Sequence, residues 1–285
     1  MLRFAPSPTG RLHLGHAYSA LLNQAIARHL GGRLLIRIED TDQTRCRPEY
    51  VQAILDDLAW LGIRSDGVVR VQSEHGDAYR QALADLEARG LLYPCFATRQ
   101  QIAAAATPGL VDPDGAPIYP GLCRGLDPEV ARGRIAAGEP YALRLDMAAA
   151  IAAAGGDMTY TALGPSLSPF SVTACPSRWG DVVLQRKETA ASYHIAVVVD
   201  DALQGITHVV RGQDLAASTD IHRLLQMLFG LPAPVYLHHP LIVDQQGRKL
   251  SKRDGDTGLA TLRAGGATPA DIRRLVGIPD TGADS

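Results

Sequence analysis

At 285 residues, with 46% hydrophobic and 20% charged residues, the chain can bury one large or two modest cores and has the balance of a globular protein. No apolar run reaches the ~20 residues of a membrane-spanning helix. The opening Met1-Leu2-Arg3-Phe4-Ala5-Pro6 lacks the apolar stretch of a secretory signal, so a cytoplasmic protein is expected. A net charge of −2 excludes a uniformly basic nucleic-acid coat and leaves only local, salt-sensitive contacts to RNA or DNA.

In chain order, Arg3 to Pro6 reads as a short buried strand, and Pro8, Gly10 and Gly15 punctuate the loop after it. Ala17, Ala20, Leu21, Ala25 and Ile26 have helical spacing from His16 to Leu30, where Gly31-Gly32 stops the helix. Leu34 to Ile38 is a second strand, Pro48 opens a second helix, and a third runs near Ala78 to Ala88. Strand, helix, strand, helix with short connections predicts a parallel sheet covered by helices, in which ligands sit at the carboxyl ends of the strands. From about Leu92 to Leu163 the rhythm weakens in a Pro-, Gly- and Ala-rich stretch read as an insertion. The rhythm returns with Asp181 to Leu184, Ile195 to Val199, Ile206 to Val210, a helix near Asp220 to Phe229, and Leu241-Ile242-Val243. The tail after Gly258 has only weak helical spacing.

Two features bear chemistry. His13 and His16 stand three positions apart at a helix start, where both rings can face one side beside N–H groups suited to phosphate. Gly15 between them lets a nucleotide approach the backbone. Far downstream, Lys249 and Lys252 are two of the chain's three lysines and lie in a stretch flanked by Gly247 and Gly255. Cationic stems in such a loop can close over phosphates as charge builds in a transition state. Each feature alone is as easily a solvated surface. Together, on an α/β pattern, they point to ATP binding, with Mg²⁺ implied by the phosphate charge.

The run Arg3-Phe4-Ala5-Pro6-Ser7-Pro8-Thr9-Gly10-Arg11-Leu12-His13-Leu14-Gly15-His16 resembles the opening of class I glutamyl-tRNA synthetases. Arg37 to Asp42, Val197 to Asp201, Gly205 to Gly212 and Lys249 to Arg253 continue the resemblance collinearly over roughly residues 1 to 255. It implies a Rossmann-type α/β fold with helices on both faces of a parallel sheet and an inserted α+β subdomain. The expected divisions are a first catalytic half at 1–91, the insertion at 92–163, a second catalytic half with the lysine loop at 164–258, and a helical tail at 259–285 with no anticodon-binding domain. The resemblance assigns ATP to His13, Gly15, His16, Lys249 and Lys252, with His13, His16 and Lys252 catalytic. It assigns L-glutamate to Arg3, Ser7, Glu39, Tyr193 and Arg211: arginines for the side-chain carboxylate, Glu39 for the ammonium group, hydroxyls from Ser7 and Tyr193.

With only 33 residues after Lys252, the chain is similar to the shortened glutamyl-queuosine tRNA(Asp) synthetase family. That family activates glutamate with ATP without tRNA and transfers it to the cyclopentene diol of queuosine at the wobble position of tRNA(Asp). The alternative is an enzyme or fragment that charges tRNA 3′ ends. A non-catalytic binder is a further reading that intact His13, His16 and Lys252 disfavour, and another nucleotidyltransferase with a paired-histidine signature is one that Glu39 with Arg211 and the Lys249-to-Lys252 loop disfavour. The family's zinc site has the form Cys-x-Cys followed by Tyr-x-x-x-Cys. Here Cys95, Tyr119 and Cys123 match, but Ala97 stands in place of the second cysteine and only Cys175 remains to complete four ligands. The expectation is a vestigial loop with free thiols and no Zn²⁺. A monomer is the simpler expectation for the assembly.

Overall fold

The computed structural model describes residues 1–187, 189–242 and 258–278. The first part alternates β1 (Leu2–Phe4), α1 (Leu14–His29), β2 (Leu34–Ile38), α2 (Pro48–Trp60), β3 (Arg70–Val71) and α3 (Gly76–Ala88). Strands β1, β2 and β3 pair in parallel, with Leu2 opposite Leu34 and Arg37 opposite Arg70. Every residue of β1 and β2 is buried, as expected for parallel strands covered on both faces.

The chain continues through β4 (Leu92–Cys95), α4 (Arg99–Ala105), α5 (Pro128–Ala136), β5 (Ala142–Leu145), α6 (Met147–Ala154), β6 (Thr159–Leu163), β7 (Pro169–Thr173) and β8 (Val183–Gln185). Then come α7 (Tyr193–Leu203), β9 (His208–Gly212), α8 (Thr219–Leu228), β10 (Val235–His239), α9 (Leu259–Ala264) and α10 (Pro269–Leu275). Strand β10 pairs in parallel with β9 and with β6, and β7 closes that sheet antiparallel to β6. The Met1 carbonyl accepts hydrogen bonds from the Thr207 and His208 amides at 2.9 and 3.2 Å, which sets β1 beside β9. From this junction the strands wind outward in opposite directions, β1 to β3 one way and β9 to β10 the other. Such a reversal opens a crevice at the strand ends.

Strands β4, β5 and β8 form a separate antiparallel sheet. The segment 92–163 is therefore tied to the second half of the chain at two places: β5 pairs with β8, and β6 pairs with β10. Two apolar runs fold otherwise than their local pattern suggests. Ile195 to Val199 lies inside α7, where tertiary burial outweighs the β preference of three consecutive valines. Among the described residues the last strand is Val235–His239, in register with β9, while Leu241 and Ile242 are outside any strand and Val243 lies outside the described residues.

Two cores hold the layers. One gathers Leu2, Phe4, Ile36, Ile54 and Leu58 with the tail residues Leu259, Ile272 and Val276, so the weakly patterned tail is anchored on α1 and α2. The other joins α3, α7 and α8 to β4, β5 and β8 through Tyr79, Leu83, Leu184, Ile195 and Leu224. Among the described residues no helix is long and apolar enough to cross a membrane.

Candidate active site

A cavity of about 930 Å³ opens at the ends of β1 and β9. Its wall contains Arg3, Ser7, His13, Gly15, His16, Glu39, Tyr193 and Arg211, so residues from distant parts of the sequence meet in one place. Lys249 and Lys252 lie outside the described residues.

Helix α1 begins with an unusual cap. The His13 Nδ1 accepts from the Gly15 amide at 3.1 Å, and the His16 Nδ1 accepts from the His13 amide at 3.2 Å. A neutral imidazole that accepts at Nδ1 carries its proton at Nε2. The reciprocal cap thus sets both neutral tautomers, with the proton of each ring on Nε2 at a helix start. The rings lie 3.8 Å apart between centroids. Gly15 suits the same geometry, since a Cβ there would crowd the His13 ring at 3.0 Å.

The two arginines divide their work. The Arg3 Nε donates to Asp201 Oδ1 at 3.1 Å, and among the described residues no hydrogen bond engages its Nη1 or Nη2. Burial alone would raise the Asp201 carboxyl, but Arg3 and Arg37 (2.6 Å) outweigh it and hold it below the usual range. Asp200 beside it takes Arg70 at 2.7 Å, Gln72 at 2.8 Å and Tyr79 at 2.9 Å. Helix α7 therefore underpins β1, β2 and β3 with two buried carboxylates. The Asp-Asp pair belongs to a motif of the sequence, but no linear pattern assigns it this role.

Arg211 is held differently. Its Nη1 donates to the Tyr193 hydroxyl at 3.0 Å and meets His222 Nδ1 at 3.2 Å; its Nη2 donates to Thr219 Oγ1 at 2.8 Å, and its Nε to His238 Nε2 at 3.3 Å. All four partners are uncharged. Burial, with Arg211 adding to it, depresses His194 to about 4, His238 to about 3, and His222 well below its ordinary value. Among the described residues no carboxylate pairs with Arg211, which is 5% exposed. A buried cation held only by uncharged groups keeps its full positive charge, which an anion would offset. Thr219 and His222 stand three apart on α8 and share a face, a signal present in the sequence.

Across the cavity, Glu39 follows β2. Burial raises its carboxyl from 4.5 to about 7, against the pull of Arg37 and Arg3. Among the described residues its carboxylate forms no hydrogen bond or ion pair. The result is one anionic and two cationic positions at separate points of one cavity.

The structure also gathers Cys95, Tyr119 and Cys123, beside Ala97, in a small buried cluster. The Tyr119 hydroxyl accepts from Cys123 N at 2.7 Å and from Cys95 Sγ at 3.3 Å, and the Arg144 guanidinium lies 3.8 Å over the Tyr119 ring. Burial alone would raise the Cys123 thiol, but hydrogen bonds from Tyr119 and from the Ala97 and Phe96 backbone bring it below its ordinary value. Cys175 is exposed, and its amide donates to Asp220. Two thiols and a phenol under a stacked cation do not make a four-ligand zinc site. Among the described residues no three His, Cys, Asp or Glu side chains converge on a metal position.

The family model for tRNA synthetases class I (E and Q), catalytic domain, matches residues 1–277. The glutamyl-Q tRNA(Asp) synthetase of Rhodobacter capsulatus is 47% identical, with 97% of this chain and 99% of that protein aligned. The glutamyl-Q tRNA(Asp) synthetase of Symbiobacterium thermophilum is 42% identical over 95% of this chain and 83% of its own length. Among solved structures, a glutamate tRNA ligase from Elizabethkingia meningosepticum in complex with its amino acid superposes with a TM-score of 0.71 at 31% identity, covering 90% of this chain and 52% of that one. The glutamate-tRNA synthetase of Elizabethkingia anophelis gives a TM-score of 0.76 at 30% identity, covering 96% of this chain and 60% of that one. The chain thus belongs to the class I tRNA synthetase (E and Q) catalytic-domain family, among the glutamyl-Q tRNA(Asp) synthetases.

Proposed function

We propose that the protein activates L-glutamate with ATP, without tRNA, and transfers the glutamyl group to queuosine at the wobble position of tRNA(Asp). The observation that carries the first half is the shared cavity, in which a buried arginine with uncharged partners faces a carboxylate beside paired helix-capping imidazoles. Arg211 and Arg3 receive the side-chain carboxylate of glutamate. Glu39, in its ionised form, receives the ammonium group, and Ser7 and Tyr193 supply hydroxyl contacts. The α-carboxylate then points toward His13 and His16.

An oxygen of that carboxylate attacks the α-phosphorus of ATP, the bond to the bridging oxygen breaks, and pyrophosphate departs. The Nε2–H groups of His13 and His16 stabilise charge gathering on the phosphate oxygens, with Lys249 and Lys252 as further cations. Mg²⁺ accompanies the nucleotide phosphates. In the second step a hydroxyl of the queuosine diol attacks the mixed anhydride, its proton leaves, and AMP is released. The enzyme's contribution is placement and electrostatics. The queuosine acceptor is supported by the names of relatives that the chain matches over 83–99% of their own lengths. A monomer acting in the cytoplasm is part of the same reading.

The competing acceptor is a tRNA 3′ end, favoured by 39% identity to a Synechococcus glutamate–tRNA ligase, of which the chain covers 56%. Labelled glutamate, tRNA(Asp) with and without queuosine, and periodate oxidation separate the two, provided the diol's own sensitivity to periodate is controlled. Glutamate attached only to the queuosine-containing tRNA is expected. Equal attachment to both, abolished by blocking the 3′ end, would refute the queuosine acceptor.

A further inference from the structure

Arginine carries hydrogen-bond donors and no acceptor. The His222 Nδ1, 3.2 Å from Arg211 Nη1, must therefore be the unprotonated nitrogen, and the proton of the neutral ring sits on Nε2. That Nε2 lies 3.3 Å from His194 Nδ1, which must then accept in turn. The order of donors runs in one direction, from Arg211 to His222 to His194. On the other side of the guanidinium, His238 Nε2 accepts from Arg211 Nε at 3.3 Å, so the His238 proton sits on Nδ1. Four of the five Arg211 N–H groups are thereby directed at Tyr193, His222, Thr219 and His238, and the fifth is the remaining N–H of Nη2.

We propose that His222, backed by His194, is a positioning residue that aims the Arg211 guanidinium at the side-chain carboxylate of the bound amino acid. The assignment rests on the glutamate reading of the cavity and deepens it. An imidazole suits the task because it can take one arginine N–H without neutralising the arginine. A carboxylate at position 222 would satisfy the same N–H but cancel the charge the substrate is meant to meet. His194 keeps the His222 ring from flipping, since a flipped ring would put Cδ2–H where Nδ1 stands and leave Arg211 without that acceptor. The aromatic surround supports the pair: Tyr193 lies 5.4 Å from the His222 ring and Trp179 5.9 Å from the His194 ring. Among the described residues the relay makes no hydrogen bond or ring contact with His13 or His16, so its effect falls on amino-acid binding.

The test is ATP–pyrophosphate exchange by the full-length protein and by His222→Phe, His222→Asn and His194→Phe, with the unfolding temperature of each recorded. His222→Phe is expected to raise the KM for glutamate by about tenfold or more, the worth of one hydrogen bond to a charged group, and to leave the KM for ATP within about twofold. His222→Asn, whose amide oxygen can accept from Arg211, is expected to recover most of the loss, and His194→Phe to show a smaller increase. A folded His222→Phe with unchanged glutamate KM would overturn the proposal. Nitrogen-15 spectra of the histidines give a second reading that needs no variant to fold and no substrate. They are expected to show His222 neutral and protonated at Nε2 at pH 7, and a protonated ring or the Nδ1–H form would overturn it. Wild-type protein that exchanges pyrophosphate with no amino acid would refute the glutamate reading, while the spectra would still decide how Arg211 is held.

Discussion

Glu39 connects the structure to a pH profile. Its carboxyl is raised from 4.5 to about 7, chiefly by burial. The ionised form is the one that can hold an ammonium group, so glutamate binding should follow ionisation of Glu39 in the empty enzyme. For a single group titrating near 7, about a tenth is ionised at pH 6 and about nine-tenths at pH 8. The kcat/KM for glutamate in pyrophosphate exchange should therefore rise roughly tenfold from pH 6 to pH 8 and level off above. The substrate's own carboxylates and ammonium titrate outside this window. The same shift has a sign for stability. A carboxyl whose folded pKa lies above its unfolded value destabilises the fold as pH rises between the two and most fully above the folded one. The rise from 4.5 to about 7 corresponds to roughly 3 kcal/mol, an upper figure because the carboxylate opens onto the cavity. Glu39→Gln should thus melt higher than wild type at pH 8, match it near pH 4.5, and lose glutamate activation throughout. A kcat/KM that is flat or falls between pH 6 and 8, or a Glu39→Gln protein no more stable at pH 8 than at pH 5 relative to wild type, would refute the reasoning.

Arg211→Gln removes the buried cation. The kcat/KM for glutamate should drop about 10²-fold with the KM for ATP nearly unchanged, as a charge-assisted pair implies, and undiminished glutamate turnover would exclude the arginine from the pocket. Lys252→Ala should slow single-turnover adenylate formation by ~10²–10³-fold, by analogy with other removed charge stabilisers, and a loss under about threefold would count against the lysine. Protein purified without chelator should hold far less than one equivalent of zinc by elemental analysis, and should keep its melting temperature in EDTA. One tightly held equivalent would show that the Cys95–Tyr119–Cys123 cluster finds a further ligand.

The parts of the fold that are legible in the sequence are those where local pattern and tertiary demand agree. The buried run Leu34 to Ile38 matches β2 and Pro48 opens α2, because a doubly covered parallel strand and a proline-led helix leave distinct marks. Where local preference and packing disagree, the pattern misleads. Val197-Val198-Val199 favours a strand, yet α7 buries Ile195, Ala196, Val197 and Val198 against α3 and α8 and turns Asp200 and Asp201 onto the arginines of the first sheet. The 235–239 strand is hidden by its two histidines, one of which serves Arg211 rather than solvent. The site is legible where residues act as a short motif, as with His13 and His16. It is illegible where the arrangement depends on contacts across the chain, as with Asp201 under Arg3, 198 positions away, or His222 behind Arg211. Nothing in a linear pattern says that a histidine must be neutral. That emerges only once burial and a neighbouring guanidinium are placed around it.

The most direct test of the central claim is ATP–pyrophosphate exchange run with each amino acid in turn and no tRNA present. Exchange supported by glutamate alone is the predicted result. No exchange with glutamate, or equal exchange with an amino acid lacking a side-chain carboxylate, would contradict it.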